Sequence, residues 1–256
     1  MIKIENTENM TGISIQGDWD DLDELVEAFY EMTSSETIEK YKDYSMLAMR
    51  VLGLCYDVRH AKQGSREIVL EDNNMDDEKM KWHSTVTPKK NVYFKCNYLY
   101  PEMFLVTLIL NEFVKIRIQD LIKKKYYFYS VFDKNVIWDE TIATIRAFQA
   151  EFARCVRETL TDASYRRWLN LMNADHINIR NIKPHYVDIL NIRHIEMSKE
   201  KRIKSLTSIA RKITGYRTEE EHREIEEAVR RGAAEYNCSE ADIRIEGDEY
   251  PGEIEW

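Results

Sequence analysis

Asn91-Val92-Tyr93-Phe94-Lys95-Cys96-Asn97-Tyr98 alternates apolar and polar side chains, and within a few residues the pattern changes period. Beyond Pro101, the apolar residues Leu105, Leu108, Ile109, Phe113 and Ile116 recur at intervals of three and four, to about Lys125. A period of two places one face of a strand against a core, and a period near 3.6 does the same for a helix. Proline suits the first turn of a helix, where its missing N–H would have had no partner. The stretch therefore reads as a strand running directly into a long helix, and the fold class as α+β.

Upstream of this stretch, Arg66 to Leu70 reads as another strand, separated from Asn91 by the polar segment Glu71 to Lys90. The two are expected to pair antiparallel across that long loop. Thr11 to Gln16 alternates as well and is stopped by Gly17. Asp18 follows as an N-cap, with Asp20 and Asp21 opposing the positive helix end and Leu22, Leu25, Val26, Phe29 and Tyr30 at helical spacing. Tyr44 to Ala61 carries a full apolar arc through Leu47, Ala48, Val51, Leu54, Cys55 and Val58, and Gly64 ends that helix.

Downstream, Tyr126 to Phe132 is aromatic and β-prone. Helices are predicted along Ile142–Leu160, over Ser164–Met172 and over Ser198–Ile213, the last ended by Gly215. Residues 176–196 are ambiguous between helix and strand. Thr218 and Glu221 have capping-box spacing for a helix to about Tyr236. Asp242 to Glu246 reads as a last strand, and the acidic tail is expected to be mobile. The expectation is one domain over 1–256: an α+β part at 1–135 with a small antiparallel sheet and packed helices, a helix-rich part at 136–246, and an acidic tail at 247–256. No Ser-, Gly- or Pro-rich linker divides it; 8 Gly and 4 Pro in 256 residues favour long helices.

The composition, 43% hydrophobic and 32% charged, is that of a globular chain. Cys55, Cys96, Cys155 and Cys238 are far apart and fit neither a disulfide framework nor a zinc ladder; each is expected to act as a small hydrophobe. Met1 to Asn9 shows no apolar leader, and the longest apolar run, Met103 to Leu110, is far below membrane-span length. A cytoplasmic protein without membrane contact is expected. The net charge of −9 hides a basic block at residues 176–217 between acidic ends. Within it, Lys199, Lys201, Arg202, Lys204, Arg211 and Lys212 are the candidate nucleic-acid contacts, unless the acidic ends neutralise them.

Two constellations are candidates for chemistry. On the helix at Tyr44–Ala61, Asp57 and His60 stand three apart, with Arg50 two turns earlier and Arg59 alongside. A carboxylate beside an imidazole can make a general base, with Arg66 and His83 joining if the sheet folds back; the same set also fits a structural ion-pair network. The second is Arg180-Asn181-Ile182-Lys183-Pro184-His185. It resembles the R-[polar]-x-x-x-H signature of the HEPN ribonuclease families, in which the resemblance implies metal-free RNA cleavage by the Arg and His of facing copies. Arg180, Asn181 and His185 are the residues that would carry it. Pro184 departs from the pattern, and Arg217 to His222 repeats the spacing.

His176, His185 and His194 recur every nine residues, a spacing that gathers three imidazoles on neither a helix nor a strand, so no metal and no cofactor is expected. Asp72-Asn73-Asn74-Met75-Asp76 opens like a calcium loop but has Asp77 where glycine is needed. Lys123-Lys124-Lys125 beside Tyr126, Tyr127, Phe128 and Tyr129 has the make-up of a single-strand stacking surface or of a helix end running into a core strand.

A wider likeness rests on Arg50-Val51-Leu52-Gly53-Leu54-Cys55-Tyr56-Asp57-Val58-Arg59-His60-Ala61 with Gly64 and Arg66, on Lys81-Trp82-His83, on Asn91-Val92-Tyr93 and on Pro101-Glu102. Over about the first 120 residues the chain resembles a family of uncharacterised bacterial proteins, a domain of unknown function, which implies a bacterial protein and no activity. The functional expectation is a non-enzymatic regulatory or protein-interaction module, in stress or phage-defence circuitry, with a protein partner and with a homodimer left open. The alternatives are a metal-independent ribonuclease or RNA-binding protein using Arg180 and His185, and an enzyme centred on Asp57 and His60.

Overall fold

The computed structural model describes residues 1–122, 132–173, 177–243, 245 and 250–256. Four strands, β1 (Lys3–Asn6), β2 (Gly12–Gly17), β3 (Glu67–Asp72) and β4 (Lys90–Leu99), form one antiparallel sheet in the order β1-β2-β4-β3. Strand β4 is interior to the sheet and pairs on both sides. Ile15 faces Cys96 and Ile13 faces Tyr98 across β2, and Glu67 faces Lys95 across β3. Gly12 is required where β2 meets β4, because a Cβ there would sit 2.0 Å from the Tyr98 carbonyl oxygen.

The helices are α1 (Trp19–Met32), α2 (Ser35–Lys40), α3 (Ser45–Lys62), α4 (Asp77–His83), α5 (Tyr100–Ile122), α6 (Lys134–Ile137), α7 (Glu140–Thr159), α8 (Asp162–Met172), α9 (Pro184–Glu196), α10 (Lys199–Thr214) and α11 (Glu220–Tyr236). Helix α5 leaves β4 without a break, and every residue from Tyr100 to Leu110 is buried. A helix that is apolar on all sides needs cover on all sides. It has contacts with α3, α8, α9 and α10, as well as with the sheet. The α1 start is as read: Asp18 accepts from the Asp21 N–H and the Asp21 carboxylate returns to the Asp18 N–H.

Several expectations are corrected. Strand β1 lies in the segment read only as a polar N-terminus; Lys3-Ile4-Glu5-Asn6 is too short to signal itself and is fixed by pairing with Ile13–Gln16. Helix α4 interrupts the Glu71–Lys90 loop, capped by Asp76 and with no buried residue. The ambiguous 176–196 stretch ends in a helix from Pro184. Thr218 makes no capping box: the Thr218 hydroxyl donates to the Gly215 carbonyl, and Glu221 instead receives both Arg193 Nη groups at 2.7 and 2.6 Å. Asp242 closes a 3-10 turn at Glu240–Asp242 rather than opening a strand. Cys55, Cys96 and Cys155 are buried, but Cys238 is exposed. Arg244 and Glu246, residues 123–131 with their Lys and aromatic run, and His176 lie outside the described residues.

The described part of the tail, residues 250–256, does not hang free. The Trp256 carbonyl receives the Asn9 backbone N–H at 3.1 Å and the Asn9 side chain at 3.0 Å, and Tyr250 reaches α9. Among the described residues, no helix is long and apolar enough to cross a membrane.

Candidate functional site

Helix α3 packs on β4, and at Gly53 it presents no side chain to the strand. A Cβ there would be 3.9 Å from the Tyr98 hydroxyl, with no other heavy atom within 4 Å. The space between them opens into a cavity of about 560 Å³ lined by α3, β3, β4, the start of α5, Asn191 of α9, and Tyr250 and Trp256. That volume falls in the range of small-molecule sites.

The mouth is ionic. Asp57 pairs with Arg66 at 2.9 Å, and Glu67 with Lys95 at 2.7 Å; all four are at least partly exposed. The floor is buried. Glu102, 5% exposed, receives Arg50 Nη1 at 3.3 Å and Asn191 Nδ2 at 3.0 Å, both on Oε2. Its backbone N–H donates to Asn191 Oδ1 at 3.1 Å. The other carboxylate oxygen, Oε1, is covered from solvent and accepts no hydrogen bond. Arg50 makes a two-pronged contact to Asp188 at 2.8 and 2.6 Å, and the Tyr250 hydroxyl donates to Asp188 at 2.9 Å while accepting from Asn191 at 2.9 Å.

Burial pushes the Glu102 carboxyl above its ordinary value, against the pull of the Arg50 guanidinium. For Arg50, burial opposes the charge, but Glu102 and Asp188 outweigh it and hold the group firmly protonated. Burial drives the Tyr98 hydroxyl well up and the Cys96 thiol up to about 12. At neutral pH this wall therefore offers protonated hydroxyls and thiol, and its reactive atoms are poor nucleophiles. What it can do is hold a molecule by charge, hydrogen bonds and aromatic contact. Among the described residues, no group of three or more His, Cys, Asp or Glu is arranged to hold a metal ion.

The candidates of α3 separate. Arg50 and Asp57 line the cavity; the other two do not. Arg59 donates to the Tyr30 hydroxyl at 2.9 Å, and the His60 ring lies against Tyr56, centroids 4.1 Å apart. Asp57 is committed to Arg66, and no hydrogen bond joins it to His60. Arg180 projects from a 3-10 turn, Ile179–Asn181, and donates to the Tyr44 hydroxyl at 2.9 Å with its guanidinium over that ring; Asn181 is exposed in the same turn. His185 sits in the first turn of α9, half-buried, and burial lowers its pKa. It lines a second cavity of about 260 Å³ together with Asp188 and with Met49 and Arg50, which belong to both cavities. One residue of each sequence candidate set thus meets here.

Of the basic block, Lys199, Lys201, Lys204 and Arg211 are exposed and Lys212 is half-buried. Arg202 is a correction. It is 6% exposed, with Nε on the His194 carbonyl at 3.0 Å, Nη1 on Asn9 O at 2.8 Å and Thr11 Oγ1 at 2.7 Å, and Nη2 on the Ile195 carbonyl at 2.5 Å. Its donors are engaged by the protein, so it is not a phosphate contact. His194 is fully buried beside it, and His222 lies between Tyr186 and Tyr216.

Sequence reasoning missed Glu102 as a site residue, and with it Asp188, Asn191 and Tyr250. Two signals were present. Gly53 interrupts an otherwise continuous helix where alanine would stabilise, and Glu102 stands at the head of the most apolar helix in the chain.

The profile of a family described as a domain of unknown function (DUF6904) matches residues 2–256, and the chain belongs to that family. The match spans nearly the whole chain, well beyond the first 120 residues that carried the likeness in the sequence. No curated protein and no solved structure matches the chain.

Proposed function

We propose that this chain is a non-enzymatic regulatory module that receives a small ligand in the cavity between α3 and β4 and passes its occupancy to a protein partner. One observation carries the reading: a cavity of about 560 Å³, within the range of small-molecule sites, is lined by the ion pairs Asp57–Arg66 and Glu67–Lys95 together with Tyr98, Tyr250 and Trp256.

The partner surface follows from the sheet. Strand β3 is an edge strand, and Ile68 and Leu70 on it, Val92 on β4 and Trp82 of α4 are exposed apolar groups. Strand β4 carries Lys95 and Tyr98 in the cavity and Val92 at this edge, so one strand joins both. A bacterial cytoplasmic circuit of stress or phage defence, anticipated from the sequence, is the setting proposed for it.

The test is a ligand-observed NMR screen of a fragment library carrying cationic, neutral and anionic members, against the full chain and against Gly53→Leu. The reading expects hits on the wild type that are lost in the variant, whose leucine fills the cavity without disturbing the α3 core face. A library with no hits, or hits indifferent to Gly53→Leu, would overturn it.

A further inference from the structure

We propose that the solvent face shared by α8 and α10 binds double-stranded DNA through its phosphates. No residue of either helix lines the α3–β4 cavity, so the proposal stands or falls without the ligand reading.

The two helices pack on each other, and both rest on α5. Leu206, Ile209, Ala210 and Ile213 bury one side of α10, as Trp168 and Met172 do for α8. The other side faces solvent. Lys201, Lys204 and Arg211 are exposed at intervals of three and seven, which places them along one stripe of α10. Arg166 and Arg167 are exposed on α8, and Lys199 opens α10.

Pairing separates these cations from those elsewhere. Around the cavity, Arg50, Arg66 and Lys95 each hold a carboxylate. Among the described residues, Arg166, Arg167, Lys199, Lys201, Lys204 and Arg211 hold none, and Arg167 reaches only the Ser164 hydroxyl, at 3.2 Å. Lys and Arg number two on α8 and six on α10, against one acid on each, Asp162 and Glu200. The chain as a whole is at −9. Exposed acids such as Glu24 and Glu27 of α1, or Glu224 and Glu227 of α11, stand on helices packed against α3 and α7 and against α9. Like charges held side by side on rigid helices build a positive potential that a polyanion relieves.

What the face lacks selects the polyanion. No large apolar side chain is exposed on α8 or α10. A protein partner needs an apolar interface core and a membrane surface needs apolar insertion, whereas a phosphate backbone needs neither. A single strand is held by stacking its bases on open aromatic rings, and the rings of α8, Tyr165 and Trp168, are stacked on each other. A duplex offers denser charge, one per about 1.7 Å of axis. Lys201 to Arg211 covers about 15 Å, or about four base-pair steps. RNA duplexes are gripped through 2′-hydroxyls as well as phosphates, and the exposed neutral hydrogen-bonding side chains here are few, Asn170 and Ser208. That balance favours DNA.

The experiment is fluorescence anisotropy of the full chain with a labelled DNA duplex of mixed sequence and about 20 base pairs, its RNA counterpart and one DNA strand. The DNA duplex is expected to bind most tightly, its affinity falling about a hundredfold between about 50 and about 200 mM salt, the scale of about four phosphate contacts. The triple variant Lys201→Glu, Lys204→Glu, Arg211→Glu should bind at least about tenfold more weakly with an unchanged unfolding midpoint. Lys81→Glu, Lys90→Glu, Lys134→Glu makes the same change of net charge at exposed sites on other elements. It should stay within about threefold of the wild type, because salt screens charges beyond about 10 Å. Alanine at Lys201, Lys204 or Arg211 singly should each lower the salt slope by about one, a readout that survives unfolding of the triple variant. No binding at the lower salt, tighter binding of the RNA duplex or the single strand, equal losses in the two triple variants, or a slope untouched by all three alanines would each overturn the proposal.

Discussion

Two buried charges, Glu102 under α3 and Arg202 under α10, are treated in opposite ways by the protein around them. Arg202 ties the end of α9 to the Thr7–Gly12 turn: its guanidinium joins the His194 and Ile195 carbonyls to Asn9 and Thr11. Glu102 is as deeply buried and the residue lines the α3–β4 cavity, yet its Oε1, covered from solvent, accepts nothing. Burial alone therefore does not separate a structural charge from a recognising one. Completeness of the hydrogen-bond set distinguishes the two, because a staple gains from every partner it makes.

The largest effect that sharpens this contrast is on the staple. Arg202→Ala should lower the unfolding free energy by about 2–4 kcal/mol in urea, because it leaves several carbonyls buried without donors. A loss below about 1 kcal/mol would mean that the α10 junction is not held as described.

Next is the pH dependence of the same junction. His194 is fully buried with Nε2 on the Met10 carbonyl at 3.2 Å, and burial, helped by the Arg202 charge, lowers its pKa to about 4. The folded value lies below the unfolded one, so the unfolded chain takes up the proton first. Stability is complete above about pH 6.5 and falls as pH drops toward 4, by at most about 3 kcal/mol. His185 and His222 are shifted the same way by burial and add to the slope. Unfolding of His194→Gln across that window should be flatter than wild type; an identical slope would remove His194 from the account.

At the cavity, Gly53→Ala should stabilise the protein by about 0.5–1 kcal/mol, since the added methyl meets only the Tyr98 hydroxyl at van der Waals distance. A destabilised variant would show that the cavity wall is tighter than drawn. The smallest effect is expected at Lys199, Lys201 and Lys204, which are exposed on α10: alanine there should move the unfolding midpoint by no more than about 0.5 kcal/mol.

The fold was largely legible because its central elements announce themselves by period. β4 alternates, α5 is apolar all round, and Asp18 caps α1 as its side chain suggests. β1 and α4 were not legible, since four and seven residues carry too little pattern and depend on pairing or on a cap. The site was legible by halves. Arg50 and Asp57 stood out as charges on an apolar helix and do line the cavity, but spacing along α3 overstated the link between Asp57 and His60. On a helix surface many partners compete for a carboxylate, and here Arg66, arriving after Gly64, holds it. Glu102, Asn191 and Tyr250 come from three distant segments, and only tertiary packing brings them together.

The measurement that tests the contrast most directly is the equilibrium unfolding of Glu102→Gln at neutral pH with no ligand present. Burial raises the Glu102 pKa, so its ionised form opposes folding, and Arg50 keeps Asp188 when the charge is removed. The account predicts a variant as stable as the wild type or more so, the behaviour of a residue kept for recognition. A loss of more than about 1 kcal/mol would make Glu102 a staple like Arg202 and contradict the account.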